Sequence, residues 1–84
     1  MVDKIIEWDN KKYVILDETI LDNIKYYFGL RLDDNENATN NYLYFKEELV
    51  GDDIYLDPIK DNEMKGVLLT SFTINYLDKV YDIK

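Results

Sequence analysis

Histidine and cysteine are both absent from this 84-residue chain, and proline and glycine are scarce, with one and three copies. The two missing residues carry much of the nucleophilic, acid–base and transition-metal chemistry near neutral pH, so their absence argues against an enzyme and against a zinc site. Disulfides are excluded as well, so the fold must be stabilised by packing, hydrogen bonding or self-association. The glycines form no phosphate-binding or nucleophile-elbow motif. We therefore expect no catalytic residues, no metal and no cofactor.

Negative charge dominates what is present. Eighteen Asp and Glu residues against ten Lys and Arg residues give a net charge of -8. Such a surface repels phosphate backbones and anionic lipids, so nucleic acid and membranes are disfavoured as partners and a basic protein surface is favoured. The need for solubility also explains an excess of acidic residues. No apolar run has the length of a signal-peptide core or a membrane span, so we expect a cytoplasmic protein with a single domain over residues 1–84.

Short apolar runs separated by polar turns predict an antiparallel meander. The clearest run is residues 24–32, where Phe28 and its period-two neighbours share one face and Tyr27 points to the other. Tyr27 is therefore expected to be exposed. The adjacent acids Asp17 and Glu18 indicate a bulge or bend within the second strand. The predicted strands are residues 4–8, 12–21, 24–32, 42–49 and 54–56.

The last third of the chain changes to helical periodicity. Asp61 suits the N-cap position, and Glu63 in the first turn complements the helix dipole. Gly66 and several β-branched residues disfavour a helix, and the alternation over residues 73–83 also fits a final strand. We favour the helix because its apolar stripe continues over about five turns. The residues of that stripe are Met64, Leu68, Leu69, Phe72, Tyr76, Val80 and Ile83.

The longest polar segment, residues 33–41, is predicted to be a mobile hairpin loop. Asp33, Asn35 and Asn37 match the start of an EF-hand calcium loop. The match then fails, because alanine replaces the required glycine and Tyr44 stands where the bidentate glutamate is needed. A loop without calcium is therefore expected.

Tyrosines and paired carboxylates mark the candidate binding surface. The chain has eight tyrosines, more than so small a core can hold. Exposed tyrosine beside acidic residues is typical of protein-binding surfaces, although cross-strand aromatic packing explains the same pattern. Adjacent carboxylates on a strand point to opposite faces, so they do not form the facing pair that a glycosidase needs. The predicted binding residues are Tyr27, Tyr42, Tyr44, Glu47, Glu48, Asp52 and Asp53.

The order of motifs resembles a known family. Residues 12–17 (KYVILD) are followed by residues 25–28 (KYYF), by an acidic hairpin, and by residues 55–61 (YLDPIKD) ahead of an amphipathic end. This order is similar to that of small acidic proteins of Gram-positive bacteria and their phages, catalogued as domain of unknown function 1292. The resemblance brings no known activity, so it assigns no catalytic residue.

The sequence thus predicts an α+β fold, with an antiparallel meander of roughly four or five strands and one C-terminal α-helix packed on a face. The predicted function is non-enzymatic binding to a basic host protein surface. Its most specific form is a phage or mobile-element inhibitor that mimics nucleic acid and blocks a basic groove. The alternatives are a homo-oligomer with another role and a small carboxylate-dependent hydrolase.

Overall fold

The polypeptide forms a five-stranded antiparallel sheet followed by one helix. The computed structural model describes residues 2–81, and it describes side chains for residues 2–77. The strands lie in the sheet in their order along the chain, so the predicted meander and the α+β class are confirmed. The elements are β1 (Ile5–Trp8), β2 (Lys11–Leu21), β3 (Ile24–Leu32), β4 (Ala38–Val50), β5 (Asp53–Pro58) and α1 (Asn62–Tyr81).

The first two hairpins turn on Asp-Asn pairs with a left-handed backbone. The φ angles are 52° and 59° at Asp9 and Asn10, and 51° and 65° at Asp22 and Asn23. Two successive positive φ angles are those of a type I′ turn, whose twist matches the twist of the flanking strands. Asp and Asn tolerate this conformation better than most residues, which is why the turns were predictable from residue type.

The connection between β3 and β4 is shorter than its composition suggests. One carboxylate oxygen of Asp33, Oδ1, accepts hydrogen bonds from the backbone N–H groups of Asn35 and Asn37, both at 2.9 Å. These bonds close the turn within residues 33–37, and residues 38–41 already belong to β4. The prediction of a longer loop is therefore wrong at its C-terminal end. Local side-chain-to-backbone hydrogen bonds shape such turns, and hydrophobic periodicity does not register them.

A bulge bends β2 at Leu16, directly before the predicted pair Asp17 and Glu18. The pairing of β2 with β3 shifts between Ile15 and Asp17, so that Leu16 is the extra residue. Ile15 pairs with Gly29 before the bulge, and Glu18 pairs with Tyr27 after it. A bulge increases the local twist and bends its strand. This bend contributes to the curl of the whole sheet.

The concave inner face of the sheet buries its own core. Tyr13, Ile15, Tyr27 and Phe45 form one cluster and are no more than 4% exposed. Gly29 provides the space for the Phe45 ring, because a Cβ atom there would lie 2.9 Å from Phe45 Cε2. All five strands contribute to this core, which requires the sheet to curl. The half-buried residues around the cluster are Ile6, Trp8, Leu43 and Leu56.

Helix α1 begins as predicted and extends beyond the point where a strand was the alternative. The Asp61 carboxylate accepts the backbone N–H of Glu63 at 3.0 Å, which makes Asp61 the N-cap. The chain is helical from Asn62 to Tyr81, so a strand from residue 73 to residue 81 is ruled out. Residues 82–84, including Ile83 of the predicted stripe, and the side chain of Val80 lie outside the described part. Within residues 2–81, no helix is sufficiently long and apolar to cross a membrane.

The helix covers the outer face of the sheet through a narrow line of contacts. Leu68 is fully buried and Phe72 is 7% exposed, and both pack with Tyr26 and Tyr44. The half-buried residues around them are Leu21, Ile24, Phe28, Ile59 and Met64. Leu69 and Tyr76, predicted to share the packed stripe, are instead 54% and 64% exposed.

Candidate protein-binding surface

The structure divides the predicted binding residues between the two faces of the sheet. Side chains alternate along a strand, so Glu47 lies on the inner face with Phe45, whereas Glu48 lies on the outer face with Tyr44. Asp52 is in the β4–β5 turn. A single partner therefore cannot contact all of the predicted residues on one surface. The residues on the outer face are Tyr42, Tyr44, Glu48 and Asp53, and those on the inner face are Tyr27 and Glu47.

Tyr27 is buried, and the prediction that it is exposed is wrong. Its side chain is 2% exposed on the inner face, and its hydroxyl donates a hydrogen bond to the Glu47 carboxylate. Burial raises the pKa of Tyr27 well above its usual range, and the hydrogen bond to Glu47 and the negative charges of Glu47 and Glu18 raise it further. The curl of the sheet covers this second face, which a two-sided alternation pattern assigns to solvent. Tyr27 thus belongs to the inner core, and half-buried Glu47 lies at the edge of that core.

Tyr44 is also buried, although it shares a face with exposed Tyr42. Tyr44 is 5% exposed and stacks on Phe72 of α1, with ring centroids 5.7 Å apart and an interplanar angle of 4°. This burial is the main cause that raises the pKa of the Tyr44 hydroxyl. Tyr42 is 50% exposed and meets Tyr44 edge to face, with centroids 5.6 Å apart. Helix α1 therefore covers Tyr44 and leaves Tyr42 half exposed.

The remaining predicted acids lie together on the β4–β5 hairpin. Glu48, Asp52 and Asp53 are exposed, and Gly51 turns the chain between the two strands with a φ of 62°. Asp57 is exposed on β5 and faces Lys46 as its cross-strand partner on the outer face. We call the group the hairpin surface. Its members are Glu48, Asp52, Asp53, Tyr55 and Asp57.

Tyr55 belongs to this surface, and the sequence reasoning missed it. It is the cross-strand partner of Glu48 and is 52% exposed. The sequence contains a signal for its exposure, because Tyr55 and Leu56 point to opposite faces of a short strand that follows Asp52 and Asp53. An amphipathic ring at that position offers the apolar contact and the hydroxyl that tyrosine supplies at protein interfaces.

Two carboxyl groups of the hairpin surface interact directly. Asp57 raises the pKa of Glu48 above its usual range, mainly through hydrogen bonding to the protonated Glu48 carboxyl group and also through its own negative charge. Lys46, which faces Asp57 across the strands, acts in the opposite direction. Two close carboxyl groups hold a proton more tightly than separated ones, because two like charges repel each other. A cationic group that approaches this pair would relieve the repulsion.

β5 is an edge strand, since the sheet order places it next to β4 and to no other strand of the described chain. The hairpin surface therefore presents exposed carboxylates, a half-exposed tyrosine and a strand edge side by side. Carboxylates accept hydrogen bonds from Lys and Arg, and Arg does so with two parallel bonds. Within residues 2–81 no group of three or more acidic side chains is placed to hold a metal ion.

Comparison of the chain with family models, with curated proteins and with solved structures finds no match. The resemblance to the family of domain of unknown function 1292 therefore stays a prediction.

Proposed function

We propose that this protein is a non-enzymatic binding module that contacts a basic protein partner through the hairpin surface. One observation carries the proposal: half-exposed Tyr55 lies beside the exposed carboxyl groups of Glu48, Asp53 and Asp57 on an edge hairpin. The side chains that pack with α1 on the outer face come from β2, β3, the centre of β4 and Ile59, which leaves this hairpin accessible.

Charge and aromatic area have separate roles in such a contact. The net charge of -8 attracts a basic surface over distance and accelerates the encounter. Tyr55, with Tyr42 further along the outer face of β4, supplies contact area that slows dissociation once the partner is bound. Phosphate backbones and anionic lipids are repelled by the same charge. The proposal locates the protein and its partner in the cytoplasm.

A more specific form of the proposal makes the partner a nucleic-acid-binding protein. Carboxylates along one face of a hairpin occupy a basic groove as phosphates would, and the chain would then inhibit the protein that owns the groove. Its support is the concentration of Glu48, Asp52, Asp53 and Asp57 on one hairpin of a strongly acidic chain. This form also fits an origin in a phage or mobile element.

The test is capture of partners from a lysate of the source organism with three baits, of which the two variants carry the same net charge. The wild-type chain is compared with a double variant of the hairpin surface, Asp52→Asn with Asp53→Asn. The matched control, Asp9→Asn with Asp34→Asn, removes the same charge from turns at the opposite end of the sheet. We expect the wild type and the control to capture a basic protein that the hairpin variant does not capture. Equal capture by all three baits would contradict the hairpin surface.

Binding kinetics with the captured protein separate charge from contact. The two charge removals should slow association more than they accelerate dissociation, and the effect should shrink as salt screens the surface. Tyr55→Ala should instead raise the dissociation rate, whereas Tyr44→Phe, on a ring buried under α1, should leave it unchanged. Affinity that is indifferent to salt would exclude the basic partner.

A further inference from the structure

The solvent-facing side of α1 is largely apolar over residues 66–77, and exposed Glu63 lies one turn before it. Residues 66–77 contain no acidic or basic side chain, although 33% of the chain is charged. Leu69 is 54%, Ile74 is 53% and Tyr76 is 64% exposed. Helices that are apolar around their whole circumference are typical of buried positions. We call this side the helix face. Its members are Gly66, Val67, Leu69, Thr70, Thr73, Ile74, Tyr76 and Leu77.

The threonine hydroxyls of the helix face already have hydrogen-bond partners within the helix. The Thr70 hydroxyl donates to the Gly66 carbonyl at 3.1 Å, and the Thr73 hydroxyl donates to the Leu69 carbonyl at 2.7 Å. Both threonines therefore present satisfied hydroxyls and methyl groups to the outside. Burial of this face leaves no threonine hydroxyl without a hydrogen bond, so the usual penalty for burying such groups is avoided.

Gly66 has no explanation within the chain itself. A Cβ atom at this position would meet no atom within 4 Å, and glycine disfavours a helix interior relative to alanine. Gly66, Thr70 and Thr73 form a strip of small residues along the outward side of α1, with large apolar side chains on both flanks. Such a strip lets the backbone of a second helix approach closely.

The chain exposes more surface than a monomer of its size usually does. Its accessible area is 6307 Å², whereas monomers of this mass average about 5,300 Å². The difference, about 1,000 Å², is close to the ~800 Å² that each partner contributes to a standard interface. Its radius of gyration of 13.4 Å is likewise above the ~12 Å typical of this length.

We propose that the helix face pairs with the same face of a second copy of this chain, with α1 packed on α1 across a two-fold axis. Two copies that each carry a charge of -8 repel one another, so a stable contact must use the part of the surface without charge. The helix face meets that condition, and a two-fold axis brings it against itself. The hairpin surface shares no residue with it, so this proposal does not rest on the proposed function.

A groove beside α1 offers room for side chains of the second helix. It has a volume of about 350 Å³, and its lining is mostly apolar. Leu69 and Tyr76 of the helix face form one wall, and Leu16 and Phe28 of the sheet contribute to the other. A large side chain from the other copy would fill this groove and cover residues that are exposed in the single chain.

Sedimentation equilibrium measures the association directly. We expect the wild type to have twice the chain mass of 10.1 kDa at high micromolar concentration and to dissociate on dilution. Gly66→Gln and Ile74→Gln should each weaken dimerisation by about tenfold or more, since they place polar bulk in the contact. Ile20→Gln, at an exposed position on β2, is the matched control and should leave it unchanged. Circular dichroism at low concentration shows whether each variant is folded.

A second measurement traps the contact covalently, so it also detects a dimer that is sparsely populated at equilibrium. The chain has no cysteine, so Thr70→Cys introduces a single thiol at the middle of the strip. Mild oxidation should cross-link this variant into a covalent dimer, and should leave Ile20→Cys largely uncross-linked. A wild type that is monomeric at all concentrations overturns the proposal. So does a dimer that resists both helix-face variants, or equal cross-linking at the two positions.

Discussion

The inner face of the sheet packs against itself, whereas the outer face depends on a helix that covers only part of it. On the inner face, four residues from three strands are at most 4% exposed, and Tyr13 meets Phe45 edge to face at 5.5 Å. On the outer face, α1 contributes two buried side chains, Leu68 and Phe72. The inner core forms within one chain, although Ile20, Leu49 and Ile54 on the same face are 63%, 68% and 55% exposed. The outer side leaves apolar residues of α1 accessible, so an additional partner can bury surface there.

The largest expected effect tests which face stabilises the domain more. Phe45→Ala should lower the free energy of unfolding by about 3–5 kcal/mol, because it empties a fully enclosed site. Phe72→Ala, which makes the same change under the helix, should cost less because that site is at the margin of the core. Urea denaturation of the two variants measures the difference. A greater loss for Phe72→Ala would reverse the comparison.

A matched pair of glycine substitutions sharpens the comparison between the inner face of the sheet and α1. Gly29→Ala should destabilise by about 1–3 kcal/mol, because the new methyl group would press on the Phe45 ring from 2.9 Å. Gly66→Ala on the helix should stabilise the monomer by about 1 kcal/mol, because its position is open and alanine favours a helix. Thermal unfolding at low concentration reads both. If both substitutions changed the stability in the same direction, the space around one of the two glycines would differ from that in the structure.

The buried tyrosine of the inner face should produce an alkaline limit to stability. The folded state holds the pKa of Tyr27 above the unfolded value of about 10. Its contribution is therefore complete below pH 10 and is lost as the pH rises toward the folded-state pKa. Tyr27→Phe should cost about 1 kcal/mol at neutral pH through the lost hydrogen bond to Glu47 and should weaken the alkaline decline. Tyr55→Phe, on the exposed hairpin, serves as the control and should alter neither.

The smallest effect concerns the outer hairpin. Asp57 raises the pKa of Glu48 in the folded state. The stability that this shift contributes is fully present below the pKa of Glu48 in the unfolded state, and it is lost as the pH rises through the pKa in the folded state. Glu48→Gln should remove this decline, so the stability of the variant relative to the wild type should rise between acidic and neutral pH. Asp34→Asn, in the β3–β4 turn at the opposite end of the sheet, also removes one negative charge and should keep the wild-type profile. Chemical denaturation at several pH values measures the slopes.

The elements of the fold could be read from the sequence because their causes are local. Asp-Asn pairs tolerate positive φ, Asp61 can accept the first N–H groups of a helix, and period-two alternation marks β3. The acidic hairpin with Glu48, Asp52 and Asp53 follows from the same reasoning, since turns and their charges lie at the surface. These features needed no knowledge of distant residues.

What each face contacts was decided by the tertiary structure. Alternation separates Tyr27 from Phe28 but does not say that both faces are covered, and it treats Tyr42 and Tyr44 alike. The curl of the sheet buries Tyr27 against residues from other strands, and Phe72 buries Tyr44 from a helix far along the chain. Tyr55 stays exposed because β5 is at an edge, outside the contacts of α1. Composition and local pattern determined the strands, turns, helix start and net charge, whereas burial depends on contacts between residues distant in sequence, and only the assembled fold supplies them.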